Sequence, residues 1–484
     1  MNSAGLWMLL LLGLLVVSTG LPVWALLIGS ASLFAGLGVA GSVIDWHVLM
    51  ALPPRIVGLL EHDLLQALPL YVFVGVLLQR LAIADTVFSS LTAWGSGSTR
   101  ASAWAALGLG TLIAPMNGSV ASSSALLARL VAPRLRALDK SRATALVAVS
   151  ATIGVVVPPS LVLILLGDAM LRAHTEAGNL PGFVPTGLRM VNTQDVLHAA
   201  LVPAALVLLA WMAVAWWQSK GAVHDTPTPV RPGWLAHGLS LLAIASIAGL
   251  LGGVFSGKLL AVEAAATAGC GLVLVTLAGR LLGLAEWRAV LVDTLALSGA
   301  LMALLVGATT FSLVFRAFET DRWLSAVALS PSMAPLPGAM LILLFVAACA
   351  WVLDAFEMIF VVIPIVAPAL INRLGGDAEQ ASVLLLLVLQ VSFLVPPMGY
   401  AIVMARARAG LGESTTARLA RAVLPYIAVQ CLVTAAVLAR PALVHLLDAP
   451  VAAAAPAGAP SEQDIERQFR EMSEPRASEP ESKP

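Results

Sequence analysis

The stretch VSFLVPPMGY (Val391–Tyr400) lies within an apolar run from about 381 to 404, long enough to cross a bilayer. A proline in a helix interior removes one backbone donor and clashes with the carbonyl a turn back, at a cost of about 3 kcal/mol or more. Pro396 and Pro397 therefore break a spanning helix near its middle. The break frees amides and carbonyls that hydrocarbon cannot satisfy, so it must lie against protein or beside a cavity.

The same device occurs earlier in the chain, in VVVPPSLVLILLGD (Val155–Asp168), to be compared with FLVPPMGYAIVMAR (Phe393–Arg406). Pro158 and Pro396 are 238 positions apart. Upstream of each lies a second matched landmark, LVAPRL (Leu130–Leu135) and IVAPAL (Ile365–Leu370), with Pro133 and Pro368 235 positions apart. Two landmarks at nearly equal offsets indicate an internal repeat. Each copy contains a short apolar segment, an irregular stretch, an Ala-Pro landmark, a charged loop and a span broken by Pro-Pro.

Charge gives the copies opposite orientations, because cytoplasmic loops collect Lys and Arg. Arg134, Arg136, Lys140 and Arg142 follow the first landmark, whereas the equivalent second loop has Arg373 with Asp377 and Glu379. After the Pro-Pro spans the pattern reverses. The first is followed by Asp168, Arg172 and Glu176, the second by Arg406, Arg408, Arg418 and Arg421. Inverted repeats with discontinuous helices are a plan of secondary transporters, whose sites lie at the membrane midplane. A kink merely packed by neighbours is the competing reading of either pair taken alone.

Composition agrees with this reading. The chain has 484 residues, 59% hydrophobic and 11% charged, with mean hydropathy +0.93. A soluble domain carries about 25% charge, and the apolar runs are continuous rather than alternating, which favours helices over a barrel. The formal net charge of zero gives no case for nucleic-acid binding. Cys270, Cys349 and Cys431 lie scattered in apolar runs and read as small buried hydrophobes. The first apolar stretch runs from Leu6 almost to Val39 and reads as two short spans meeting near Gly20 and Pro22. The domain expectation is a membrane half over 1–217, a polar linker over 218–236, a second half over 237–447 and a disordered tail over 448–484.

Two irregular stretches hold the candidate site residues. PMNGSVASSSALLARL (Pro115–Leu130) gathers Asn117, Gly118, Ser119, Ser122, Ser123 and Ser124. It is expected to form a re-entrant hairpin over about 117–133, ahead of the broken helix at 143–168. Oxygens at such a tip suit Na⁺ or a carboxylate, while small residues also permit close helix packing. VLDAFEMIFVVIPIVAP (Val352–Pro368) places Asp354 and Glu357 in an apolar region, and is expected to form the second hairpin over about 354–370, ahead of the broken helix at 381–404. Intramembrane carboxylates mark functional sites by default. Asp354 suits a cation or a helix cap; Glu357 can coordinate, carry a proton or pair with arginine. Either acid could instead lie at the interface.

These residues resemble the large membrane subunit of tripartite ATP-independent periplasmic (TRAP) transporters, over the chain up to about residue 447. GLPVWALLIGSASL looks like the family's opening motif, ATIGVVVPPSLVLILLGD and LQVSFLVPPMGYAI like its two broken helices, and KLLAVEAAATAG, with Glu263, like the segment after its mid-chain crossover. LDAFEMIFVVIPIVAP is similar to its second hairpin. Gln390–Pro397 and Leu165–Asp168 resemble the branch associated with mannitol, chloroaromatic or 2-oxo-acid compounds. The sequence departs from the family in its Asn-Gly-Ser tip and in Val395, where a threonine is common.

The resemblance implies an all-α, elevator-type importer of small organic anions, with Na⁺ as coupling ion and no cofactor. It also implies a small four-helix membrane subunit, a periplasmic solute-binding protein and a bacterial inner-membrane location. By position, one Na⁺ site uses Asn117, Gly118 and Ser119 with Gly154, Val157 and Pro158. The other uses Asp354, Phe356, Val395 and Pro396, and the substrate anion lies near Ser119, Ser122, Ser160, Glu357 and Met398. A stand-alone carboxylate carrier or antiporter of the related elevator class is the second reading. The chain has no His-Glu-x-x-His and no Walker-type Gly-x-x-x-x-Gly-Lys, so neither a metalloprotease nor an ATP-driven pump is expected.

Overall fold

A computed structural model describes residues 4–61, 63–81, 83–94, 98–117, 120–135, 138–157, 160–180, 183, 191–220, 234–320, 329, 333–351, 353–396, 399–408 and 415–448. Met1–Leu446 packs as one unit. The expected linker lies mostly, and the expected tail almost wholly, outside the described residues.

The described chain is helical and contains no strand. Its first part comprises α1 (Ala4–Thr19), α2 (Val23–Ala40), α3 (Trp46–Leu49), α4 (Leu52–Leu60), α5 (Asp63–Arg80) and α6 (Ile83–Trp94). Gly20 at φ +64° makes the reversal between α1 and α2, as expected from the Gly-x-Pro there. The first repeat follows as α7 (Thr99–Asn117), α8 (Val120–Val131), α9 (Lys140–Val156) and α10 (Leu161–Ala177), and α11 (Thr193–Gln218) crosses back. Next are α12 (Trp234–Phe255), α13 (Ala261–Ala278) and the 34-residue α14 (Leu284–Ala317). The second repeat is α15 (Pro335–Ala350), α16 (Ala355–Arg373), α17 (Ala378–Ser392) and α18 (Tyr400–Arg408), followed by α19 (Thr416–Ala439). Among the described residues, five helices are long and apolar enough to cross a membrane, or seven if each bent pair is one span. Lys140–Val156 and Leu161–Ala177 form such a pair, bent by 42° at the first Pro-Pro.

The reversals correct the expected hairpin limits. The first lies between α7 and α8, and the second at Trp351–Asp354, between α15 and α16. The stretches 117–133 and 354–370, expected to be whole hairpins, are thus largely second arms. Each first arm is the preceding apolar segment, which packs against its partner. Helix α16 runs unbroken but adopts a π-helical register over Met358–Val362, just before Pro364. The widened turn accommodates a proline that lacks its donor and crowds the carbonyl four residues back.

The repeats pack reciprocally. Helix α10 lies on α16 and α18 lies on α8, while α7 packs on α9 as α15 packs on α17. The loop charges sort by end. Arg142 donates to the Gln218 carbonyl (2.8 Å) and Gln218 to the Ala422 carbonyl (2.8 Å), so the starts of α9 and α19 meet the end of α11 at the basic face. At the opposite end Gln380 donates to the Val437 carbonyl (2.9 Å) and Arg373 to the Met333 carbonyl (2.7 Å). The first hairpin therefore enters from the basic end and the second from the opposite one.

Outside this core, α14 packs along α2 and α5, and α13 along α5. At Gly307 an added Cβ would come within 2.9 Å of the Trp24 carbonyl oxygen, so glycine permits the close approach of α14 to α2. The outward faces of α12–α14 expose leucines such as Leu241, Leu274, Leu291 and Leu295, as a lipid-facing surface does. Cys270 and Cys431, expected to be buried, lie on the outward faces of α13 and α19, and Cys349 is half-buried. All three are free thiols.

Candidate functional site

The tip of the second hairpin is built by its two acids. The Asp354 carboxylate accepts the backbone amides of Phe356 (2.9 Å) and Glu357 (3.0 Å), and the Glu357 carboxylate accepts that of Asp354 (3.1 Å). This is a capping box, which satisfies the orphan amides of the helix start reciprocally. It also places two carboxylates at the positive end of the α16 dipole. Among the described residues, neither acid lies within ion-pair distance of an Arg or Lys. Between the two sequence-level roles for Asp354, the geometry shows the cap.

The second Pro-Pro break lies directly beside this tip. The Trp351 indole donates to the Val395 carbonyl (3.0 Å), which also accepts the Gly399 amide (2.9 Å). The Phe393 carbonyl accepts the Ala401 amide (3.1 Å). A Cβ on Gly399 would approach the carbonyl oxygens of Phe393 and Val395 to 2.7 Å, so the chain can turn back on itself here only at a glycine.

Beside the tip is a cavity of about 490 Å³. One side comes from the repeats: Leu161, Asp354, Phe356, Glu357 and Tyr400. The facing side comes from α2, α5 and α14, including Val23, Trp24, Val76, Gln79, Leu301 and Leu304. Four helix starts meet here. Leu161 begins α10, Phe356 and Glu357 lie in the first turn of α16, Tyr400 begins α18, and Val23 begins α2. Helix N-termini direct amides and partial positive charge outward and favour anions. The α16 end is occupied by its own Asp354 and Glu357, which suit a cation, while the starts of α2, α10 and α18 suit an anion.

The remaining candidates divide by position. Ser160 caps α10, its hydroxyl accepting the Leu163 amide (3.1 Å), and is fully buried. Gly154 is buried in the last turn of α9, and Val157 ends that helix with extended backbone (φ −77°, ψ 118°). Val395 and Pro396 lie at the second break, half-buried. Asn117 ends α7 and Ser122 lies in the first turn of α8. Gly118, Ser119, Pro158 and Met398 lie outside the described residues. The second-repeat candidates thus gather at one place, and of the first-repeat candidates α10 reaches it through Leu161 next to Ser160.

Sequence reasoning did not single out Trp351, Tyr400 or Gln79. Tyr400 was legible as the first residue able to restart a helix after Pro-Pro-x-Gly. Gln79 reads as one more polar residue near the end of an apolar run, and only the fold turns it toward the cavity.

Known proteins agree with this architecture. The solved structure of the YdaH transporter of Alcanivorax borkumensis superposes with a TM-score of 0.57 at 15% identity, covering 83% of this chain and 88% of that one. The sialic acid TRAP transporter permease protein SiaT of Haemophilus influenzae is 24% identical over 434 residues, 88% of this chain and 65% of that protein. The isethionate TRAP transporter permease protein DctMQ of Oleidesulfovibrio alaskensis is 24% identical over 432 residues, 86% of this chain and 62% of that protein. The chain therefore spans somewhat less than two thirds of each of these two relatives. The family model for the DctM component of the tripartite ATP-independent periplasmic transporters matches residues 8–443. Nearly the whole folded chain, both hairpins and both broken helices included, falls within that match, and the chain belongs to this family as a multi-pass inner-membrane protein.

Proposed function

We propose that this chain is the large permease subunit of a Na⁺-coupled importer of small organic anions, carboxylates and 2-oxo acids among them. The observation that supports it is the cavity where the starts of α2, α10 and α18 converge on the Asp354–Glu357 pair at the start of α16. The helix ends favour the anionic group of the substrate; the intramembrane carboxylates favour a cation. Binding the two together couples the substrate to the ion gradient.

In this reading Asn117, Gly118 and Ser119 hold one Na⁺ with the backbone of Gly154, Val157 and Pro158. Asp354 and Phe356 hold the second with Val395 and Pro396, the cation taking the place of the Trp351 indole on the Val395 carbonyl. Ser119, Ser122, Ser160, Glu357 and Met398 contact the substrate. The cavity lies between the repeats and the α2–α5–α14 wall, so the repeat core carries it across the membrane as an elevator. The small membrane subunit docks outside this core, and a periplasmic binding protein delivers substrate. The two relatives are named for sialic acid and isethionate, both acidic solutes.

Uptake of labelled carboxylates, including pyruvate and longer 2-oxo acids, into proteoliposomes tests the proposal. The vesicles hold this chain with its small subunit and binding protein. Accumulation is expected with an inward Na⁺ gradient and not with K⁺ in its place. Accumulation indifferent to Na⁺ would refute coupling, and equal uptake by this chain alone would make it a stand-alone carrier.

A further inference from the structure

Helices α7 and α11 run antiparallel and carry a ladder of aromatic and cationic groups to the basic face. The Trp104 indole donates to the Met212 carbonyl at 3.0 Å. One turn nearer the surface, Arg100 lies over the Trp216 ring, 5.5 Å from guanidinium carbon to centroid. Lys220, just past the end of α11, places its ammonium 3.8 Å from the same ring. Both distances lie within the range of a cation–π contact.

This arrangement holds two positive charges on one indole, where they repel each other. Among the described residues neither cation has an ion-pair partner. The start of α7 adds its own partial positive charge beside Arg100, and Arg142 lies at the end of α11 through its bond to the Gln218 carbonyl. Asp139, three residues before Arg142 at this basic end, is engaged in capping α9 through the Ser141 amide. Trp104, Trp216 and Trp217 are 43%, 40% and 59% exposed. Partly exposed indoles at a helix end mark the level of lipid headgroups. The cluster thus combines unpaired cations for a phosphate with indoles for the glycerol and upper acyl chain.

We propose that Arg100 and Lys220 bind the phosphate of an anionic phospholipid in the cytoplasmic leaflet, with Trp216 against its glycerol and its acyl chains lying along the α7–α11 seam by Trp104. The phosphate bridges the two cations and removes their mutual repulsion. Because α7 is the first arm of a hairpin and α11 the span after the first repeat, a bound lipid ties the two together at the membrane surface.

Native mass spectrometry of the purified chain, titrated with phosphatidylglycerol or phosphatidylcholine, tests this. A cation at an anionic lipid surface is worth about a fivefold factor in affinity, so Arg100→Gln/Lys220→Gln should weaken phosphatidylglycerol binding roughly 30-fold. Arg100→Lys/Lys220→Arg should retain it, and Lys258→Gln/Arg288→Gln, which removes the same charge elsewhere, should leave it unchanged. Equal phosphatidylglycerol affinity in wild type and Arg100→Gln/Lys220→Gln would overturn the proposal. So would phosphatidylcholine binding as tightly, or inorganic phosphate occupying the site in place of the lipid.

Discussion

The side-chain amide of Gln390 donates to the backbone carbonyl of Thr152 at 3.2 Å, and these residues are 238 positions apart. That is also the separation of the two Pro-Pro pairs. Under two-fold symmetry, only residues at the axis touch their own equivalents. The crossing of α9 and α17 is therefore the pseudo-symmetry centre, and both broken helices pass through it.

Gln390 also accepts from Gln430 at 2.6 Å, and both side chains are buried. Gln390→Leu leaves the Gln430 amide with only a 3.5 Å contact to the Leu387 carbonyl. An orphaned buried donor costs about 1–3 kcal/mol. The variant should unfold at lower temperature in detergent, and Gln390→Leu/Gln430→Leu should recover part of the loss. A single variant as stable as wild type would remove the network from the account of the core.

The capping box separates structure from ion binding at Asp354. Asparagine caps as well as aspartate, while alanine loses about 1 kcal/mol. Asp354→Asn should therefore keep wild-type thermal stability yet lose Na⁺ dependence of uptake, and Asp354→Ala should lose both. Glutamine still completes the box at the third position, so Glu357→Gln should be stable with altered substrate affinity. Full Na⁺ dependence in Asp354→Asn would leave Asp354 as a cap alone.

Gly399→Ala places a Cβ against the backbone of Phe393 and Val395. No flexible side chain can yield there, so the break itself must shift, and transport should fall by at least about tenfold if that shift costs more than about 1.4 kcal/mol in the transport cycle. Gly299→Ala on α14 meets nothing within 4 Å and should raise stability by up to about 1 kcal/mol. Uptake rates and thermal midpoints of the two variants check this contrast.

Much of this plan was legible in the sequence because its landmarks are local. Each Pro-Pro pair breaks a helix whatever its neighbours do, and each Ala-Pro landmark fixes the register of its copy. The hairpin limits were misjudged by one arm because α7 and α15 are apolar and continuous, indistinguishable by hydropathy from full spans. The π-helical turn before Pro364 is a response to packing, and hydrophobic periodicity has no signature for it. Asp354 and Glu357 stood out as acids in an apolar run. Tyr400, Trp351 and Gln79 reach the site through contacts between segments far apart in the chain, which spacing along a single segment does not encode.

In the proposed mechanism the repeat core moves past the α2–α5–α14 wall. Arg316 near the end of α14 pairs with Glu176 near the end of α10, joining the wall to the core. The most direct test introduces Arg316→Cys and Glu176→Cys after replacing Cys270, Cys349 and Cys431, and joins them with a short, reducible bis-thiosulfonate. Cross-linked protein in proteoliposomes should cease uptake, and reductant should restore it. Undiminished uptake in fully cross-linked protein would contradict the moving core.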